Sequence, residues 1–372
     1  MISKPISLAL VYVLTICNFL ILILPFLMAI VPFVDIGDNK IIFIKLLAQN
    51  IPLNPKTVIL SLIFIISFLM TIYLLLDFIF GFSVRSSLKG CQKINKTKNY
   101  DFLQNIFEEV KNKFATKNAQ LYIKDSNEIN AFAVGGMGRK AIVLTSGLIN
   151  HYITNINDDQ RFLIAIRSIL GHEMSHLINK DFLPGLLIIT NTKITNFVAN
   201  ILRLIFAITV QCMSYMTINN KVIISTITTT YNISSFILNF FNRYFINGLY
   251  CFLKNFLGRE IEYRSDRQSA KAFGGINMAF ALSFLGNSGY FTLFSTHPAT
   301  ARRIRKVEVV EEKNAIIRAS LLSKISNFLS IAVMPIVCFY IAHLGKIDLI
   351  IESYIYHHYP ETYSWLINFW YK

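Results

Sequence analysis

Two apolar blocks near the start of the chain, about Ile6 to Val34 and about Val58 to Val84, decide the solvent in which it folds. Each is longer than the roughly 20 residues an α-helix needs to cross the hydrocarbon of a bilayer, so both are expected to span. Composition agrees: 54% of the 372 residues are hydrophobic and 15% are charged, with a mean hydropathy of +0.49, too apolar for an ordinary water-soluble domain. The first block is interrupted by Pro25 and Pro32 and lacks a small-x-small cleavage site, which reads as a retained signal anchor.

The formal net charge is +15, from 36 Lys+Arg against 21 Asp+Glu. Its position matters more than its size. Arg85, Lys89, Lys93, Lys96 and Lys98 follow the second apolar block, and Arg302, Arg303, Arg305 and Lys306 precede a later one, about Ile325 to Leu344. Basic residues flanking spans mark the cytoplasmic side, whereas the loop from Asp35 to Lys56 is near charge balance and is assigned to the outside. No nucleic-acid-binding module accompanies the charge, so the expected partner is the lipid bilayer and not a nucleic acid. The five cysteines, Cys17, Cys91, Cys212, Cys251 and Cys338, have no metal-type spacing and are expected to be buried thiols.

Between the spans the pattern turns to that of a folded domain. From Tyr100 to Thr116, Phe102, Ile106, Val110 and Phe114 recur at helical intervals among charges. Three strand-like pieces follow: Gln120 to Lys124, Glu128 to Val134 and Ala141 to Thr145, the last two forming a hairpin around G-G-M-G-R-K. Asn157 or Asp158 then caps a helix that runs through Phe162, Leu163, Ile166, Ile169 and Leu170 into S-I-L-G-H-E-M-S-H-L-I-N-K-D, Ser168 to Asp181.

On a helix, residues four apart share a face, so His172 and His176 can meet one ion while Glu173 sits beside them within reach of a water. This spacing is that of a metalloprotease helix. A catalytic zinc takes a third protein ligand and keeps a fourth position open. Downstream, G-R-E-I-E-Y-R-S-D-R-Q-S-A, Gly258 to Ala270, supplies Glu262 and Asp266 at the same four-residue spacing; one can ligate while the other holds a histidine ring in its tautomer.

Four motifs occur together and in order: I-N-A-F-A-V-G at Ile129 to Gly135, G-H-E-M-S-H followed by N-K-D at Gly171 to Asp181, R-E-I-E-Y-R-S-D at Arg259 to Asp266, and F-S-T-H-P-A-T-A-R-R-I at Phe294 to Ile304. In these the chain resembles the HtpX-type membrane zinc metalloproteases, the group related to the CAAX prenyl proteases. The resemblance implies one zinc ion held by His172, His176 and Glu262, with Glu173 as the catalytic base and Asp266 behind the ligands. It implies that Asn130, Ala131 and Phe132 lie on an edge strand along which a peptide substrate binds. It also implies that His297 stands near the developing oxyanion, and that Arg303 ties its loop to a carboxylate. Periodicity separates Glu262 from Glu260, since two residues turn a helix by about 200°. Glu262, Asp266, Ser269 and Phe273 form one stripe, while Glu260 faces Arg264 at the spacing of a surface ion pair.

The expected fold is an α-helical integral membrane protein with a zincin-like α+β metalloprotease domain and four to five transmembrane helices. Residues 1–84 carry two spans and an outer loop, 85–181 the first part of the catalytic domain, and 182–257 a membrane-associated helical hairpin with arms Phe182 to Tyr215 and Val222 to Leu257. Residues 258–324 supply the third ligand, and 325–372 a fifth span with a Tyr- and Trp-rich tail. Lys193, Arg203 and Arg243 inside the hairpin require that it face protein or water there. The implied function is zinc-dependent endoproteolysis of misfolded or damaged membrane proteins, from a multi-pass position in the cell (inner) membrane with the catalytic domain in the cytoplasm. The alternatives are a prenyl-peptide protease and a catalytically silent, zinc-stabilised scaffold; the intact Glu173 speaks against the scaffold.

Overall fold

The computed structural model describes residues 55–96, 100–136, 139–183, 221–241, 247–285 and 298–344, with isolated positions between 194 and 211, at 244, and between 356 and 364. The first apolar block therefore lies outside the described residues, as do His297 and most of Phe182 to Tyr215. The second block is helix α1, Pro55–Phe80, which ends where Gly81 adopts a left-handed conformation (φ 64°) before the short α2, Phe82–Ser87. Among the described residues one helix, Leu321–Leu344, is long and apolar enough to cross a membrane. Within the expected arm from Val222 to Leu257 the described residues are helical, in Lys221–Phe241 and the first turns of Asn247–Phe273.

One compact unit contains Tyr73–Ile189 and Gly248–Ser330 and carries all four strands. These are β1 (Cys91–Lys93), β2 (Ala119–Lys124), β3 (Ala131–Gly135) and β4 (Lys140–Thr145), ordered β1-β2-β4-β3. The expected β3–β4 hairpin is present as an antiparallel pair, Ala131 opposite Leu144 through Gly135 opposite Lys140. β2 joins β4 in parallel, with Ala119 opposite Lys140, and β1 adds an antiparallel edge within the basic run from Arg85 to Lys98. β4 is central and its Ala141 to Thr145 run is fully buried, whereas β3 lies at the other edge and is half-buried throughout.

Helix α3, Asp101–Lys113, buries Leu103, Ile106, Phe107 and Val110 against this sheet. Phe102, placed on the apolar face by periodicity, stays 37% exposed; the buried stripe is turned by one residue so that Leu103 and Phe107 enter the core. Helix α4, Ser146–Asn155, starts directly from β4, with Thr145 as its cap. Helix α5, Asp159–Asn179, is capped by Asp158 Oδ1, which accepts from the Gln160 and Arg161 amides at 2.8 and 3.4 Å. It packs against α3, β3 and β4 and is buried along most of its length, so it forms the axis of the core.

The helices Lys221–Phe241 and Asn247–Phe273 are α6 and α7; α8 (Gly275–Ser283) and α9 (Thr300–Val307) follow, and the apolar Leu321–Leu344 is α10. A close approach joins α5 to α7. A methyl group added at Gly171 would lie 2.8 Å from Ser269 Oγ and from a Phe273 ring carbon, so only glycine lets the two helices meet there. The contact sets His172 level with the carboxylates of α7. Of the described cysteines, Cys338 is buried, Cys91 is half-buried and Cys251 is exposed, which corrects the expectation that all are buried.

Candidate metal centre

The Nε2 atoms of His172 and His176 are 3.1 Å apart. The Glu262 carboxylate lies 3.4 Å from the first through Oε2 and 3.6 Å from the second through Oε1. A tetrahedral ion with bonds of about 2.0–2.1 Å separates its ligands by about 3.3 Å, so the triangle of donors has the size zinc requires. Among the described residues these three form the group of His, Cys, Asp or Glu side chains able to hold an ion.

Each ring is fixed from its other nitrogen. His172 Nδ1 is 2.8 Å from Asp266 Oδ1, though poorly aligned for a hydrogen bond, and His176 Nδ1 is 3.0 Å from Asp181 Oδ2. Asp266 is in turn gripped by Arg303, whose Nε donates to Oδ2 and Nη2 to Oδ1, both at 2.7 Å. The same Nη2 reaches Glu262 Oε2 at 3.1 Å. Glu173, Glu262, Asp266 and Asp181 set four carboxylates against the guanidiniums of Arg303 and Arg264, leaving two formal negative charges, those that one divalent cation would neutralise.

That charge governs the protons. Burial works to lower the His172 pKa, but the neighbouring Glu262 and Asp266 carboxylates outweigh it and push it up to about 10. Burial works to raise the Asp266 pKa, yet the hydrogen bonds of Arg303 and the adjacent His172 ring prevail through their positive charge and hold its carboxyl below the usual range. A proton on His172 and a cation at Nε2 are alternatives, because a ligating ring must be neutral.

The donors open on a cavity of about 710 Å³. Its wall includes Glu173, Arg303 and the edge strand, with Asn130, Ala131, Phe132 and Ala133 along one side and Leu148, Ile169, Leu177 and Leu285 giving it an apolar lining. Thr145 anchors the start of that strand: its Oγ1 donates to the Glu128 and Asn130 carbonyls and accepts from the Asn130 amide at 3.1 Å. Pro298, the first described residue after His297, also lines the cavity.

Sequence reasoning missed Asp181 and misplaced Arg264. Arg264 is buried and bonded to Asp181, not a surface partner for Glu260. The usable signal for Asp181 was its place just past the helix end. Lys180 adopts a left-handed conformation (φ 51°, ψ 48°), the Asp181 amide donates to the His176 carbonyl at 3.1 Å, and the Asp181 carboxylate swings back under the ring.

The chain belongs to peptidase family M48, a family of metallopeptidases, whose model matches residues 98–311. The resemblance to the HtpX-type group is consistent with that membership. Among solved structures it is similar to S. mikatae Ste24p, at 16% identity with a TM-score of 0.43, over 77% of this chain and 66% of that one. The chain thus spans just under two thirds of that protein's length.

Proposed function

We propose that this chain is a zinc-dependent endopeptidase of the cell membrane, multi-pass and with its catalytic face in the cytoplasm, that cuts misfolded or damaged membrane proteins. The observation that carries the proposal is that the donor triangle, Glu173 and the edge of β3 share one cavity. Among the described residues β3 pairs with β4 alone, so an extended peptide can add to its other side through main-chain hydrogen bonds. Exposed Arg85 and Lys89 after α1, and Arg302, Arg305 and Lys306 on α9, support the cytoplasmic placement.

Zinc bound by His172, His176 and Glu262 would polarise the scissile carbonyl and lower the pKa of a water towards about 7. Glu173 stands beside the donor triangle, takes the proton of the attacking water and returns it to the departing amine. Asp266 and Asp181 keep both Nε2 atoms turned to the cavity, and Arg303 pairs with Glu262 and holds Asp266 ionised. The apolar lining admits uncharged side chains next to the scissile bond.

Purified in detergent and supplied with zinc, the protein should cleave casein, and cleavage should stop with a chelator and in Glu173→Gln. Equal activity of Glu173→Gln and the parent refutes the mechanism, and stoichiometric zinc without any hydrolysis favours the silent scaffold. Cleavage of farnesylated peptides in preference to casein favours the prenyl-peptide alternative.

A further inference from the structure

The family match ends at residue 311, yet the polar contacts of the metal helix do not. Asp181 Oδ2, which faces His176 Nδ1, is also bonded to Arg264 Nη2. The other terminal nitrogen, Arg264 Nη1, donates to Ser323 Oγ at 2.9 Å, and Ser323 Oγ accepts from Ser320 Oγ at 2.8 Å. Arg264 and Ser323 are 7% and 1% exposed, so these bonds are shielded from water and carry their full directional weight. A continuous line thus runs from a donor of the metal triangle to the first turn of α10: His176, Asp181, Arg264, Ser323.

A second set of bonds reinforces the first. Asn179, the last residue of α5, is fully buried; its Oδ1 accepts from the Ser320 amide at 3.0 Å and its carbonyl from Asn327 Nδ2 at 2.8 Å. The final carbonyls of a helix have no partner within it, so α10 satisfies an acceptor that α5 leaves open. Asn179 Nδ2 and Ser175 Oγ both donate to Gln268 Oε1, and Gln268 Nε2 donates to the Arg318 carbonyl at 3.1 Å. The polar foot of an otherwise apolar helix is therefore bonded to both helices that supply the metal donors.

We propose that Arg264 and Ser323 are positioning residues for the ligand His176, and that the first two turns of α10 form an integral part of the metal centre. The proposal rests on the zinc site described above. It extends the functional unit beyond the matched domain and makes the seating of α10 a condition of metal affinity.

The test is a zinc-binding cycle on the full chain in detergent, by competition with a chromogenic chelator, with the Co2+ ligand-field spectrum recorded in parallel. Arg264→Gln is expected to weaken zinc about 10- to 100-fold and to shift the Co2+ bands, as loss of an outer support for a ligating histidine does. Ser323→Ala should weaken it by a smaller factor, about 3- to 10-fold, and Arg264→Lys should recover part of the Arg264→Gln loss. Because both residues act through one line, the double variant should be no worse than Arg264→Gln alone, a non-additivity that general loosening of the fold does not produce. Unchanged affinity and spectrum in Ser323→Ala, the variant least disruptive to folding, overturns the proposal, and so do fully additive losses. Failure of the parent protein to bind zinc at all counts against the zinc site itself, and is distinguished because no variant is needed to see it.

Discussion

Replacing Arg303 by leucine removes one guanidinium and leaves two buried carboxylates without their shared cation. Three bonds are lost: two of 2.7 Å to Asp266 and one of 3.1 Å to Glu262. Asp266 is 1% exposed and Glu262 8%, so water cannot take over. Breaking a buried pair from one side costs about 3–5 kcal/mol, which for a domain of this size lowers the melting temperature by about 6–20 °C at ~2–4 °C per kcal/mol. The loss depends on pH with a definite sign. Asp266 is held below its ordinary value, so its stabilisation is complete above the unfolded carboxylate pKa of about 3.9 and disappears as pH falls through the folded value. The gap between Arg303→Leu and the parent should therefore be widest near neutrality and close on acidification. Zinc should narrow it as well, since the dication replaces part of the missing charge, while Arg303→Lys should recover charge without the two-pronged grip. Thermal melts of the metal-free and zinc-loaded proteins at neutral and acidic pH measure all of this. A drop below about 2 °C at neutral pH, less than the loss of ~1 kcal/mol would give, refutes the reasoning.

Glu262→Ala should abolish both bound zinc and activity, Asp266→Ala should weaken zinc about 10- to 100-fold, and Glu260→Ala should be mild; metal analysis of the three purified variants decides, and zinc lost from Glu260→Ala but kept by Glu262→Ala reverses the assignment. Zinc affinity should rise about tenfold per pH unit between pH 6 and 8, because ligation displaces the proton that Glu262 and Asp266, against burial, hold on His172 up to about pH 10; a flat profile by chelator competition contradicts it. In the metal-free protein that proton stabilises fully below the unfolded pKa of about 6.5, and its contribution fades as pH rises through the folded value of about 10. A cysteine replacing the exposed Glu128 should resist impermeant reagents added outside intact cells and react after lysis; labelling from outside overturns the cytoplasmic placement. Enlarging Gly171 to alanine should cost about 1–3 kcal/mol by denaturant unfolding, through collision with Ser269 and Phe273.

What was legible in the sequence was local or periodic. The cap at Asp158, the long α5 and the stripe Glu262, Asp266, Ser269 and Phe273 each repeat at helical spacing, and all four stripe residues are buried. The β3–β4 hairpin was legible from its turn. The parallel pairing of β2 with β4 was not, because nothing in either strand's own pattern names its neighbour. The basic run from Arg85 to Lys98 concealed β1, a strand of three residues too short to show alternation. Arg264 was misread for a related reason: residue spacing along one helix favours the partner four positions away, whereas the fold brings in Asp181 from 83 residues distant. Ser320, Ser323 and Asn327 look in sequence like polar interruptions at the start of a span, and acquire a role only when the end of α5 is placed against them.

In the proposed mode of binding, the edge of β3 that is unpaired among the described residues has a kinetic consequence for substrate choice. Adding a strand to it requires several consecutive residues with free main-chain groups, so a segment that is helical or already paired must first come apart. The fraction of time it spends apart multiplies its apparent affinity: a segment extended one time in about a thousand binds about a thousandfold more weakly than the same sequence held open. Under the proposed function, intact proteins and their unravelled forms would thereby be sorted by local opening free energy, without any sequence being read. A chain damaged enough to lose about 4 kcal/mol of local stability moves from one end of that range to the other.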